Sequence, residues 1–146
     1  MSTKQVEILL VEDNEDDIVI LQEAFAESKT INLINIVRDG EEAMTYLRRK
    51  GEHKDVHLPG LILLDINMPK MNGFEVLKEI KADPALRHLP VIMLTTSDAE
   101  TDIVKSYSNG ACSYIKKPVD FENLKEVVKS LELYWTLVSR IPVIRR

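Results

Sequence analysis

Apolar residues along this chain gather in short unbroken runs, separated by segments where they recur every three or four positions. The run Leu61-Ile62-Leu63-Leu64 has no polar break and stops on Asp65, with Ile66, Asn67, Met68 and Pro69 following. Such a run predicts a strand buried on both faces. Val6 to Val11 is a similar run that stops on the acidic segment Glu12-Asp13-Asn14-Glu15-Asp16-Asp17. Leu89 to Leu94 is a third, ending in Thr95-Thr96-Ser97-Asp98, and Ser113-Tyr114-Ile115-Lys116 is a short last one before Lys117-Pro118. Ile31 to Val37 alternates in part and predicts a less buried strand.

Helical spacing fills the intervals. Ile18, Leu21 and Phe25, widened by Val19, Ile20 and Ala24, predict an amphipathic helix to about Glu27, with Asp16 or Asp17 as its N-cap or first-turn acid. Asp39-Gly40 predicts a helix start, with Ala43, Met44 and Leu47 on its inner face. Asn72-Gly73 leads into a helix carrying Phe74, Val76, Leu77 and Ile80, which Asp83-Pro84 ends. A thin stripe of Ile103, Val104 and Tyr107 precedes Gly110, a natural C′ residue. Residues 121, 124, 128, 131, 135 and 138 form the apolar stripe of a long final helix, and Leu133, Tyr134 and Leu137 add apolar surface off it. Lys50 to Pro59 is polar and predicts a loop. His53 and His57 lie four apart within it, a spacing that suits a metal pair only on a helix, and Gly51 and Pro59 argue against one.

Five strands alternating with five helices predict a parallel, doubly wound α/β sheet with helices on both faces. A chain of 146 residues, 45% apolar and 29% charged, suits one domain with a real core. The expected core covers about residues 6–130, with an extended C-terminal helix and tail over about 131–146. A net charge of −5 argues against a general nucleic-acid binder. Cys112 is the single cysteine, so neither a disulfide framework nor a cysteine zinc site is expected. No apolar run approaches a membrane span and no leader is evident, so the expected location is cytoplasmic.

In a parallel sheet, ligands collect outside the carboxyl ends of the strands, where Glu12, Asp13 and Asp65 would converge. Carboxylates brought within about 4 Å repel by roughly 4 kcal/mol per ionised pair at a mid-range dielectric, so a proton or a cation must accompany them. A hard divalent ion such as Mg2+ answers this, because it prefers carboxylates and bridges to phosphoryl oxygens. With Lys117 as a point cation and Thr95 as a hydroxyl donor, the set suits phosphoryl transfer with Asp65 as nucleophile.

Glu12-Asp13, the run from Leu63 through Asp65 to Pro69 with Gly73 behind it, Thr95 after an apolar strand and Lys117-Pro118 occur in one order. Together they resemble the receiver domain of two-component response regulators, over about Val6 to Ser130. The resemblance implies a flavodoxin-like sheet of strand order 2-1-3-4-5, with Asp65 as phosphoacceptor. It implies Mg2+ on Glu12, Asp13, Asp65 and the Asn67 backbone carbonyl, and Lys117 on the phosphate. Thr95 and Tyr114 would be the switch pair, and Asn67 and Ser97 would flank the path of the hydrolytic water. The acidic pair is Glu-Asp rather than Asp-Asp, which alters the first ligand's reach. The implied partner is a sensor histidine kinase or a phosphotransfer protein, and no output domain follows.

The long Lys50 to Pro59 loop, the Asp83 to Arg87 turn and the extended tail are similar to stand-alone regulators of bacterial phytochrome kinases. Leu131, Leu133, Tyr134, Trp135 and Leu137 are the expected homodimer face. A haloacid-dehalogenase-like phosphatase would need an Asp where Asn67 stands. A receiver-like interaction module would lack a site residue, and a flavin carrier would not have an acidic first loop.

Overall fold

A computed structural model of the chain describes residues 6–26, 31–68, 70–95, 103, 105, 108–111, 113–116 and 126. Alternation of side chains along a strand decides the layering. In β3 (Leu61–Asp65), Ile62 and Leu64 face one apolar cluster while Leu61 and Leu63 face another, and all four are fully buried. β1 (Val6–Val11) divides in the same way, Leu9 and Val11 against Ile8 and Leu10. β4 (Val91–Thr95) follows suit, with Val91 and Met93 opposite Ile92 and Leu94. Strands with two apolar faces require cover on both.

The helices supply it. α1 (Glu15–Ala26) closes one face with Ile18, Leu21, Ala24 and Phe25. α2 (Gly40–Leu47) and α3 (Gly73–Ala82) close the other with Ala43, Met44, Leu47, Val76, Leu77 and Ile80. With β2 (Ile31–Val37) and β5 (Ser113–Lys116), the sheet has the order β2-β1-β3-β4-β5, and every pairing is parallel. This is the expected doubly wound sheet. β2 is an edge strand, with Leu33 exposed and Ile34 and Ile36 half-buried, as its partial alternation predicts.

Helix starts are set by local polar chemistry. The N-cap of α1 is not Asp16 or Asp17: Asn14 Oδ1 accepts from the Asp17 amide at 3.0 Å, and Glu15, Asp16 and Asp17 occupy the first turn. Asn is as good a cap as Asp, and the acids gain from the positive end of the helix dipole. Asp39 caps α2 by accepting from the Glu42 amide at 2.8 Å. Asn72 and Glu75 form a reciprocal capping box on α3.

The segment 50–59 departs from the expected plain loop. Gly51–His53 forms a 3₁₀ turn, made possible by the positive φ of Gly51. Gly110, at φ +101°, adopts the left-handed conformation expected just past a helix. Among the described residues, no helix is long and apolar enough to cross a membrane. Of the final helix only Glu126, which is helical, is described; the off-stripe residues Leu133, Tyr134 and Leu137 and the tail lie outside the described residues.

Candidate functional site

The site is assembled by strand register. Val11 pairs with Leu64 across β1 and β3, so Glu12 and Asp65 both leave the sheet at its carboxyl edge. Glu12 stays within the fold because its amide donates to Val37 O at 3.0 Å, and it is fully buried. Its Oε2 accepts from the Asn14 amide at 3.2 Å, which draws the carboxylate toward the start of α1. Asp13 beside it is exposed. Glu12, Asp13 and Asp65 each bring a carboxylate oxygen within 4.8 Å of the others.

Asp65 is only 3% exposed, and the loop after it holds it in place. The Ile66 amide donates to Leu94 O at 2.9 Å and prolongs the β3–β4 ladder past Asp65. The Asn67 amide then bends back to Asp65 Oδ1 at 3.2 Å. The loop closes where Gly73 N donates to Ile66 O at 2.9 Å. Gly73 is required by packing, since a Cβ there would press on Asp65 O and lie 2.7 Å from Ile66 Cα. Lys70, in the same loop, takes a positive φ of 68° and reaches Asp39 Oδ2 at 3.6 Å, tying the loop to the cap of α2.

Thr95 ends β4 one position past the partner of Asp65, and it is 2% exposed. It pairs in register with Lys116, and Tyr114, half-buried, pairs with Met93 one strand away. Thr95 thus lies at the edge that carries Asp65, and Tyr114 stands on the adjacent strand one register step inside it. Lys81 aids this placement from below: its Nζ donates to Arg87 O and Leu89 O, each at 3.0 Å, and so anchors the entry to β4. Sequence reasoning missed Lys81, because a charged residue in a last helical turn looks like a surface group. Ser97, Lys117 and the expected dimer face of Leu131, Leu133, Tyr134, Trp135 and Leu137 lie outside the described residues.

His53 and His57 do not form a pair. His57 is largely exposed and lies 3.7 Å from Glu7, whereas His53 folds back over α2. A turn directly after His53, in which the Val56 amide donates to His53 O at 3.2 Å, separates them.

Three carboxylates form an all-oxygen donor set, which suits a hard divalent cation. The buried hydroxyl of Thr95 lies at the next strand end. The sequence profile of the response regulator receiver domain matches residues 8–129. The chain belongs to the response regulator receiver domain family.

Receiver domains are phosphoacceptor signalling proteins that work with histidine kinases or phosphotransfer proteins and bind a divalent metal. Among relatives, the response regulator Rcp1 of Synechocystis is 40% identical over 135 residues, 92% of either chain. Its Mn2+-bound structure matches with a TM-score of 0.77 at 38% identity, covering 96% of this chain and 99% of that one. The phosphorylated cyanobacterial phytochrome response regulator RcpA matches with a TM-score of 0.81 at 45% identity, covering 97% and 99%. A probable methanogenesis regulatory protein of Methanothrix harundinacea, FilR2, is 42% identical over 92% of this chain and 86% of its own. The receiver resemblance is thereby borne out, and the phosphatase reading has no support.

Proposed function

We propose that this receiver accepts a phosphoryl group on Asp65 in a Mg2+-dependent reaction and signals through a change in its partner-binding face. The convergence of Glu12, Asp13 and Asp65 at the carboxyl ends of adjacent parallel strands carries this reading. Glu12, Asp13, Asp65 and the Asn67 backbone carbonyl would hold the ion. When bound, the ion neutralises the oxygens of the transferring phosphoryl group.

Asp65 attacks phosphorus through a carboxylate oxygen. The new P–O bond forms as the donor's bond to phosphorus breaks, and the leaving imidazole nitrogen of a phosphohistidine takes up a proton. Lys117 and Thr95 stabilise the acyl phosphate as a point cation and a hydroxyl donor. The added group carries roughly −1.5 to −2 charge by analogy with phosphorylated hydroxyls. It draws Thr95 inward, and Tyr114 turns into the vacated space. Asn67 and Ser97 flank the returning water, so substitutions at either change the lifetime of the acyl phosphate.

The reading takes the chain as one receiver domain with a core over about 6–130, in the cytoplasm. The donor is a sensor histidine kinase of the bacterial phytochrome type, a choice supported by the resemblance to RcpA. FilR2, at 42% identity, is a probable methanogenesis regulatory protein, so phosphotransfer profiling against purified kinases decides the partner.

Intact mass after incubation with a small-molecule phosphodonor tests the chemistry. One phosphoryl adduct is expected with Mg2+, none after chelation, and none in Asp65→Asn. An adduct that persists in Asp65→Asn would overturn the assignment of the acceptor. No adduct under any condition would favour a phosphorylation-independent interaction module.

A further inference from the structure

A second ligand cluster lies on α2, built from residues the Asp65 site does not use. His53 Nε2 is buried and makes no hydrogen bond. It lies 3.8 Å from Glu42 Oε2 and 3.9 Å from Glu52 Oε1, and the three ligand atoms all fall within 4.8 Å of one another. Separations of that size are too long for hydrogen bonds. They suit atoms around a shared ion, since metal bonds of about 2.0–2.2 Å at a tetrahedral angle set ligands ~3.3–3.6 Å apart. Binding would draw both glutamate oxygens closer to the imidazole by a few tenths of an ångström.

The surrounding contacts orient each ligand. Glu42 Oε1 accepts from the Arg38 amide at 3.0 Å, which leaves Oε2 turned to the imidazole. Such an outer hydrogen bond is how metal-binding carboxylates are usually fixed. The His53 ring packs against Tyr46, one turn along α2 from Glu42, with centroids 5.0 Å apart and a 53° tilt. The His53 amide donates to Lys50 O at 3.0 Å and sets the 3₁₀ turn that carries Glu52. Among the described residues, no Lys or Arg pairs with either glutamate. Two carboxylates and a neutral imidazole sum to −2, the complement of a divalent ion. A buried imidazole nitrogen without a partner is otherwise unfavourable.

We propose that Glu42, Glu52 and His53 form a second divalent-cation site, one that takes an ion of the Zn2+ class and cross-links the 3₁₀ turn to α2. Mg2+ and Ca2+ prefer all-oxygen sites, whereas an imidazole nitrogen with carboxylates suits Zn2+. The two clusters of this chain therefore select different ions. This site does not depend on phosphorylation of Asp65, because it shares no residue with the Glu12, Asp13 and Asp65 cluster.

The test is equilibrium binding of Zn2+ to the full chain at neutral pH in saturating Mg2+, with thermal unfolding alongside. One bound Zn2+ that Mg2+ does not displace is expected, together with a rise in Tm. His53→Gln and Glu52→Gln should each weaken binding by about tenfold or more and abolish the rise. Glu52 is 85% exposed, so its variant carries no folding risk. His57→Gln should bind as the parent does. Zn2+ binding that survives both His53→Gln and Glu52→Gln, or that Mg2+ displaces, would overturn the proposal. So would an absence of Zn2+ binding at neutral pH.

Discussion

At the scale of single residues, the carboxylate cluster sets a conflict between folding and function. Glu12 and Asp65 are buried, and their oxygens, with those of Asp13, crowd within 4.8 Å. Like charges at about 4 Å repel by roughly 4 kcal/mol at an effective dielectric near 20, and relaxation reduces the net cost. In metal-free buffer, Asp65→Asn should therefore unfold at higher denaturant than the parent, with a gain of about 1–3 kcal/mol. The Asn side chain retains an oxygen to accept from the Asn67 amide, so that contact survives. Saturating Mg2+ should raise the parent more than the variant and shrink the difference, by mass action on the folded state. Equal stability of the two proteins in metal-free buffer would show that the cluster does not strain the fold.

At the scale of elements, the β3–α3 loop is the part whose precision the chemistry needs most. Gly73→Ala places a Cβ against Asp65 O and Ile66 Cα, where the contact is with backbone and cannot swing aside. The expected loss is about 1–3 kcal/mol, with slowed labelling of Asp65 in the mass assay. Asn72→Ala removes only the capping box, so about 1 kcal/mol should go while labelling persists. Chemical denaturation with parallel mass spectrometry separates the two. If Gly73→Ala labels like the parent, Gly73 serves folding alone.

α2 offers a separate test against pH. Burial, and then the nearby charge of Glu7, raise the Tyr46 hydroxyl above the ordinary value of 10.0. The unfolded chain thus loses this proton first, near pH 10, while the folded chain still holds it. The contribution of Tyr46 is complete below that pH and is lost as pH rises through the higher folded value. Tyr46→Phe should unfold with a flatter alkaline limb than the parent, and identical limbs would remove Tyr46 as a cause.

At the scale of the whole molecule, the proposed partners are a kinase and a second copy of this chain. The apolar set Leu131, Leu133, Tyr134, Trp135 and Leu137 motivates the homodimer, because it exceeds what one helical stripe needs. Sedimentation at micromolar concentration should give a dimer that Trp135→Ala and Leu133→Ala weaken. A monomer in both phosphorylated and unphosphorylated forms would count against that face.

Much of this protein is legible in its sequence. Unbroken runs such as Leu61 to Leu64 announce strands buried on both sides, since only a parallel sheet covered by helices can hide every residue of a run. Strand ends at Glu12, Asp65 and Thr95 follow from where those runs stop. Asp39 and Asn72 were readable as helix starts, because capping is local chemistry. What the tertiary structure decided depends on residues distant in sequence. The register of Val11 with Leu64 places Glu12 and Asp65 at one edge, and no local pattern specifies register. Gly73 looks like an ordinary turn residue until the backbone of Asp65 and Ile66 is seen against it. His53 finds Glu42 and Tyr46 rather than His57, because the chain turns directly after His53, which spacing alone does not reveal. Local physics thus chose the elements and their ends, while long-range packing chose which side chains meet.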